Sequence, residues 1–248
     1  MGELLTSVAE ALGEVLRVLH SLVEPVTGAA AWGWAIILLT LLVRVVMLPL
    51  AVKQINSMRA MQRLQPEIKK LQAKYKTDRS MMRTDPEKYR ERRAKQQEEM
   101  MKLYKEHNVN PAAGCLPLLL QMPIFFALFR LLSSTEIVPQ LNTAGFYFAQ
   151  LAERPTQAGL GAWALIALMG YTTYFSQKQM MASNPGAAEN PQQRMMLYLM
   201  PVVLTVFAVN LQTGVLLYWV TTNIWTMAQQ WVMFRGLDHE RAAKGDKA

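Results

Sequence analysis

Apolar residues along this chain gather into blocks, and the charged ones fill the gaps between them. Five blocks lie near 31–52, 112–133, 158–177, 195–212 and 214–234, each about 20 residues long and without an Asp or Glu. A helix needs about that length to cross the hydrocarbon core of a bilayer, so the pattern predicts five membrane spans. The last two blocks are parted only by Gln212, Thr213 and Gly214, which predicts a helical hairpin. Ahead of them, Leu5, Val8, Leu12, Val15, Leu16 and Leu19 recur at helical spacing, interrupted by Glu3, Glu10 and Glu14. Those acids, and the lack of a basic start, exclude a signal peptide. An N-terminal amphipathic helix is expected instead, ended by Pro25 and Gly28, either lying on a membrane surface or packed on the rest of the protein.

The long polar gap between the first two blocks has its own pattern. Met61, Leu64, Ile68, Leu71 and Tyr75 are spaced as a heptad seam. Residues 77–86 read as a turn, and a second helix from about 86 to 107 returns with a weaker seam of Tyr89, Met100, Leu103 and Tyr104. The expectation is a cytoplasmic helical hairpin over 53–108, mobile rather than rigidly docked.

Charge then sets the topology. The chain carries a formal net charge of +8. Residues 53–108 hold 16 Lys/Arg against 8 Asp/Glu, which accounts for all of it. Segments 1–30 and 134–157 are poor in Lys/Arg, whereas 178–194 and the tail after 234 are weakly basic. Basic loops stay in the cytoplasm, so the N-terminus is expected outside and the C-terminus inside, a parity that only an odd number of spans satisfies. The predicted organisation is an external amphipathic helix (1–30), a first span (31–52), the cytoplasmic hairpin (53–108), spans two to five (109–234) and a short cytoplasmic tail (235–248). DNA binding is not expected, because topology already explains the basic hairpin.

One residue breaks the apolar pattern. Arg44 lies nine residues before Lys53, roughly 13 Å inside the first cytoplasmic charge. An arginine at such depth costs about 2.5–3.5 kcal/mol on insertion scales. No span supplies a carboxylate to offset it. Water in a cavity among the helices is the remaining offset, apart from a cap on some helix carbonyl. Polar residues able to line such a cavity are Thr40, Gln121, Thr172, Thr173, Gln177 and a stripe of Trp219, Thr222, Asn223, Thr226 and Gln230. Arg130, near the outer end of its span, can snorkel. Met81 and Met82 at the hairpin turn are candidates for contact with apolar client segments, as flexible thioethers suit promiscuous surfaces.

Catalytic chemistry finds no foothold. Cys115 is the only cysteine, and His20, His107 and His239 are scattered outside the spans. No Ser/His, Cys/His, paired-carboxylate or metal-binding spacing occurs, so no cofactor, no metal and no enzyme activity are expected. The lack of an intramembrane acid and of an internal repeat also argues against an ion-coupled transporter.

The run Gly114-Cys115-Leu116-Pro117 through Gln121-Met122-Pro123 to Phe129 resembles the second core span of the Oxa1/YidC/Alb3 insertases. Tyr104 to Pro111 is similar to that family's lead-in, Arg44 with Pro49 to its first core span, Pro66 to Lys76 to its cytoplasmic hairpin, and Leu217 to Trp225 to its last span. The resemblance covers roughly 31–235. It implies an all-α membrane protein with five helices around a hydrophilic groove, in the bacterial plasma membrane. It implies a membrane protein insertase or chaperone that acts as a monomer on nascent membrane proteins in the lipid bilayer, alone or with the Sec translocon, and in contact with the ribosome. It makes Arg44 the attractor for acidic client tails, and Gln121, Gln177 and Trp219 groove positions. The chain shows no counterpart of the extra N-terminal span and large external domain of Gram-negative members, nor of a lipoprotein signal.

Overall fold

The computed structural model describes residues 2–75, 84–109, 116–133, 137–182 and 191–243. Nine helices carry these residues: α1 (Gly2–Thr27), α2 (Ala31–Val46), α3 (Leu48–Arg63), α4 (Gln65–Lys74), α5 (Pro86–Glu106), α6 (Leu116–Ser133), α7 (Leu160–Ala182), α8 (Pro191–Ala208) and α9 (Thr213–Ala243). The expected all-α architecture holds, with one addition. A two-residue antiparallel pair, β1 (Gly145–Phe146) and β2 (Ala149–Gln150), sits in the loop before α7. Helices stand in all five predicted blocks. Among the described residues only Leu5–Val46 is both long and apolar enough to cross a bilayer by composition alone, and Gln121–Ser133 and Leu197–Ala208 are shorter apolar stretches.

Of the two alternatives for the N-terminal helix, the packed one is observed. Ala9 and Leu16 are fully buried in the main core, with Leu12, Val15 and Leu19 beside them. At Gly13 an added Cβ would meet Ile137 at 2.9 Å and Leu131 at 3.2 Å, so the missing side chain lets α1 close on α6. Arg17 donates to the Ile137 carbonyl and pairs with Glu14. Pro25 does not end the helix. It falls inside the last turn, and Gly28, at φ 54°, makes the reversal into the 3-10 turn before α2.

The first span is shorter than its apolar block. α2 ends at Val46, and Met47 separates it from α3, where Pro49 at the second position cannot donate to a preceding carbonyl. α3 then runs unbroken through the expected boundary at residue 53. The hairpin below is held by Leu64, Ile68 and Val109, against which Met61, Met100, Leu103 and Tyr104 pack. Asp85 caps α5 by accepting from the Lys88 N–H at 3.0 Å. At the other end Asn108 takes φ 52°, its N–H reaching the Lys105 carbonyl and that of Val109 the Tyr104 carbonyl. This is a Schellman stop, and its hydrophobic contact is the burial of Val109.

Packing is lopsided along the bundle. α9 is the central helix, lying against α7, α2 and α6, with α8 on the far side of α7. The main core gathers the start of α2 (Ala35, Ile36, Leu39), the end of α6 (Leu128, Leu131, Leu132), the first half of α7 (Ile166, Met169) and the start of α9 (Val215 to Tyr218). The loop before α7 seals this end. Its Glu153 carbonyl accepts from both the N–H and Oγ1 of Thr213 at 2.9 Å, and its Leu151 carbonyl from the Gly214 N–H at 2.8 Å, satisfying the first donors of α9. Beyond Thr40 in α2, before Ala127 in the described part of α6, and after Thr173 in α7, no described residue is buried. On these three helices burial is confined to one end of the bundle, the closed end; toward the other, the open end, Leu197 of α8 and Asn223 and Gln230 of α9 remain buried.

At the hairpin, Glu99 accepts from the Tyr75 hydroxyl at 2.6 Å and pairs with Lys74 at 3.0 Å. The phenol hydrogen bond, then the ammonium, hold Glu99 below its ordinary 4.5, and the same carboxylate raises Lys74. A depressed acid stabilises above its unfolded value and loses that effect as pH falls through the lowered one. Spin labels on α4 and α5 should keep one narrow distance at neutral pH and broaden as pH falls below 4.5. Glu99→Gln should remove that transition. At the closed end, a Cβ on Gly33 would lie 1.9 Å from the Phe146 ring. Gly33→Ala should lower thermal stability by about 1–3 kcal/mol through overpacking, and Phe146→Ala in the same chain should restore part of it.

Candidate substrate groove

Arg44 sits one turn past Thr40, the last buried residue of α2, where packing gives way. Its side chain is half-buried, and among the described residues it has no hydrogen bond, no ion pair and no carbonyl to cap. Its one electrostatic neighbour is the Tyr218 hydroxyl on α9. Tyr218 is itself buried and accepts a hydrogen bond from Gln121 Nε2 on α6 at 2.6 Å. Three helices thus bring a cation, a phenol and an amide together just at the lower edge of the core. Phe125 lies tilted beside Tyr218 at 6.4 Å and edge-on to Trp219 at 5.6 Å between ring centres.

The other expected groove residues divide by what they touch. Thr40 is 2% exposed and donates to the Ile36 carbonyl at 2.7 Å, closing on its own helix and facing the core. Asn223 is buried and donates to Thr173 at 2.8 Å and to Thr172 at 3.1 Å. These three form a clasp between α7 and α9 rather than an open wall. One turn or so further out, Gln179 Nε2 reaches the Met227 carbonyl at 3.3 Å and extends the same seam. Thr226 donates to the Thr222 carbonyl at 2.8 Å. Thr222 Oγ1 and Gln230 Oε1 are buried with no hydrogen-bond partner. Gln177 and Trp219 are half-buried. Buried polar atoms left over in this way call for water, since a polar group without a partner costs about 1–3 kcal/mol. Met81 and Met82 lie outside the described residues, as do Gly114 and Cys115.

Tyr218 was not among the expected site residues. It is one position off the stripe of Trp219, Thr222, Asn223 and Thr226, but it is four residues before Thr222, and that spacing was the available signal. The remaining ionisable groups are spent elsewhere. His20 stacks on Trp32 at 4.0 Å, and His107 lies 3.3 Å from Glu67 across the helical hairpin. A cleft of about 420 Å³ between α4 and α5 is lined by Lys70, Lys74 and Lys102 alternating with Glu67, Glu99 and Glu106. Among the described residues no group of His, Cys, Asp and Glu could hold a metal ion.

Comparison with known proteins bears on this arrangement. The family model of the 60Kd inner membrane protein matches residues 22–240. The membrane protein insertase YidC of Streptomyces avermitilis is 38% identical over 248 residues, covering 87% of this chain and 55% of that one. The membrane protein insertase MisCA of Bacillus subtilis is 37% identical over 217 residues, covering 88% and 75%. The chain thus spans about half the length of the first relative and three-quarters of the second. A crystal structure of an active YidC insertase with its first transmembrane domain resolved superimposes with a TM-score of 0.56 at 27% identity, over 90% of this chain and 45% of that one.

The clasp gives a direct test. Asn223→Ala should leave Thr173 without its donor and loosen α7 from α9, lowering unfolding stability in detergent by about 0.6–1.7 kcal/mol, the range for hydrogen bonds between membrane helices. Asn223→Gln, one methylene longer, should recover only part of the loss, whereas an unchanged stability would mean that the clasp is already bridged by water.

Proposed function

We propose that this chain, which belongs to the Oxa1/YidC/Alb3 family of 60Kd inner membrane proteins, is an insertase that moves newly made membrane proteins into the bacterial inner membrane. It performs no covalent chemistry. Its closed end faces outward and its open end the cytoplasm, with α2, α6, α7, α8 and α9 as the five spans. The α3–α5 hairpin then lies in the cytoplasm with the bulk of the positive charge, as the charge rule for loops requires. A polar client segment enters from the cytoplasm between α2, α6 and α9, where Arg44, Gln121, Trp219 and Thr222 meet it, with Gln177 and Thr226 nearer the entrance. Thr173 and Asn223 hold together the helices that form the wall, and Thr40 marks its dry inner limit. Nascent chains and lipid are the partners, and the Sec translocon and the ribosome join for some clients.

The observation that carries this reading is Arg44. It is a permanent cation in an apolar helix with no described counter-ion, at the level where buried packing stops. Solvation by water from the open end is the cheapest way to keep it there. That water shortens the apolar distance a polar segment must cross. The charge attracts the acidic residues of an outer tail and is left behind once the tail has passed.

The test is complementation of an insertase-depleted bacterium, reading insertion of a single-span client with an acidic outer tail and of the same client with a neutral tail. Wild type should insert both. Arg44→Ala should reduce the acidic client about tenfold, roughly 1.4 kcal/mol, and the neutral one far less. Arg44→Lys should retain most activity on both. Equal loss on the two clients would show that the charge solvates the groove without selecting the tail. Failure of the wild type to insert either would overturn the reading.

A further inference from the structure

The sealing loop before α7 carries a feature that closing the bundle does not require. From Ile137 to Ala152 it has no charged residue. Its β1–β2 hairpin turns on Tyr147 and Phe148, whose side chains point away from the bundle at 65% and 81% exposure. Tyr147 takes φ 50°, the left-handed region that glycine and asparagine enter freely and a tyrosine does not. With positive φ at its first central residue alone, a turn facing water would be better served by glycine at that position. An aromatic residue held there against its backbone preference points to a use for the ring.

The hairpin is also firmly built in. The Phe146 ring lies on the bare Cα of Gly33, and Phe148 on that of Gly161, where an added Cβ would stand 2.4 Å from the Phe148 Cβ. Trp34 donates its Nε1–H to the Tyr147 hydroxyl at 3.3 Å and meets Phe146 edge-on. The tip is thereby fixed at the level of the first turns of α2 and α7. Exposed Leu160 and Trp163 adjoin it and continue along α7 as exposed Leu168, Tyr171 and Phe175. That stripe is the surface a membrane helix turns to lipid, and the tip is its outward continuation.

We propose that Tyr147 and Phe148, with Trp34 and Trp163, form an interfacial anchor that inserts at the boundary between headgroups and acyl chains of the outer leaflet. The inference rests on the outward orientation of the closed end proposed above. Aromatic rings with a polar edge favour that boundary, and an uncharged loop can enter it without desolvating an ion. The anchor also has a mechanical consequence. Arg44 lies ten residues beyond Trp34, about 15 Å deeper along α2, which is half of the roughly 30 Å core. Pinning the tip to the outer interface sets the guanidinium at the bilayer centre.

The test uses the full chain in phosphatidylcholine–phosphatidylglycerol vesicles. Phe148→Cys in a Cys115→Ser background is labelled with an environment-sensitive fluorophore, and Gln150→Cys, exposed on the same hairpin, serves as control. Lipids brominated high on the acyl chain should quench the label at 148 strongly, and aqueous iodide should quench it several-fold less than the label at 150. Iodide reaching both positions equally would overturn the anchor, and so would shielding of 148 from both quenchers, which would mean that protein covers the tip. A second arm replaces Tyr147 with Gly and Phe148 with Ser, which relieves the backbone strain. Thermal stability should hold or rise, while a label at Val45 shifts in depth and client insertion falls several-fold. Tyr147→Trp should behave as wild type. Unchanged depth at Val45 in the Gly/Ser chain would also overturn the proposal. The quenching readouts need no client, so failure of the insertase reading leaves them intact.

Discussion

A guanidinium with no carboxylate in any of the five apolar blocks is the constraint around which the rest of the chain is arranged. Arg44 cannot shed its charge, and α2 is too apolar on either side to hide it. It can be kept only where water reaches it from one side and protein seals it from the other. The lopsided packing meets both conditions. Buried side chains stop at Thr40 on one helix, start at Ala127 on another and end at Thr173 on a third, so the dry core and the loosely packed half meet at the level of Arg44. A bundle packed evenly along its length would have no place for this residue.

Keeping one half loose requires that the other half be fastened by something more specific than apolar contact. Lipid solvates leucine as well as protein does, so helices in a bilayer are joined by close approach and by polar contacts. Both occur here. Gly13 and Gly33 let neighbours in to distances that a Cβ would forbid, and Gly170 admits Thr205 of α8 against α7 in the same way. The Asn223 clasp and the Gln179 bond to the Met227 carbonyl join α7 to α9 along the seam. The Gln121–Tyr218 bond ties α6 to α9 at the edge of the core. Polar residues that look alike in the sequence therefore serve two purposes, joining walls or facing the space between them.

The closed end is more than a plug. Its loop feeds carbonyls to the first turn of α9, accepts Arg17 from α1 and presents an aromatic tip outward. The open end hands over to the basic hairpin through α3, which follows α2 after the single residue Met47. On the proposed reading, the first fixes the depth of the charge and the second leaves the approach to it clear.

Much of this was legible in the sequence because it follows from local chemistry. The five blocks are set by bilayer thickness, the basic hairpin by the cost of moving lysine and arginine across lipid, and its two helices by the seam of Leu64 and Ile68 and the turn at 77–86. Arg44 stood out because nothing in any span could neutralise it. The interruption at Met47 within the first block was not read, since hydropathy does not register that Pro49 has no N–H to donate. Tyr218 and the difference between Asn223 and Thr222 could not be read at all. Which of two adjacent polar residues meets a neighbouring helix depends on the rotation and crossing of α9 against α6 and α7, and those are fixed by contacts between residues some 50 to 100 positions apart. The sequence alone determined that a charge lies within an apolar helix and that the basic excess is gathered in one segment, 53–108. Only the tertiary structure decided which end is sealed, because that depends on how loops and glycines distant in the chain close over one half of the bundle and not the other.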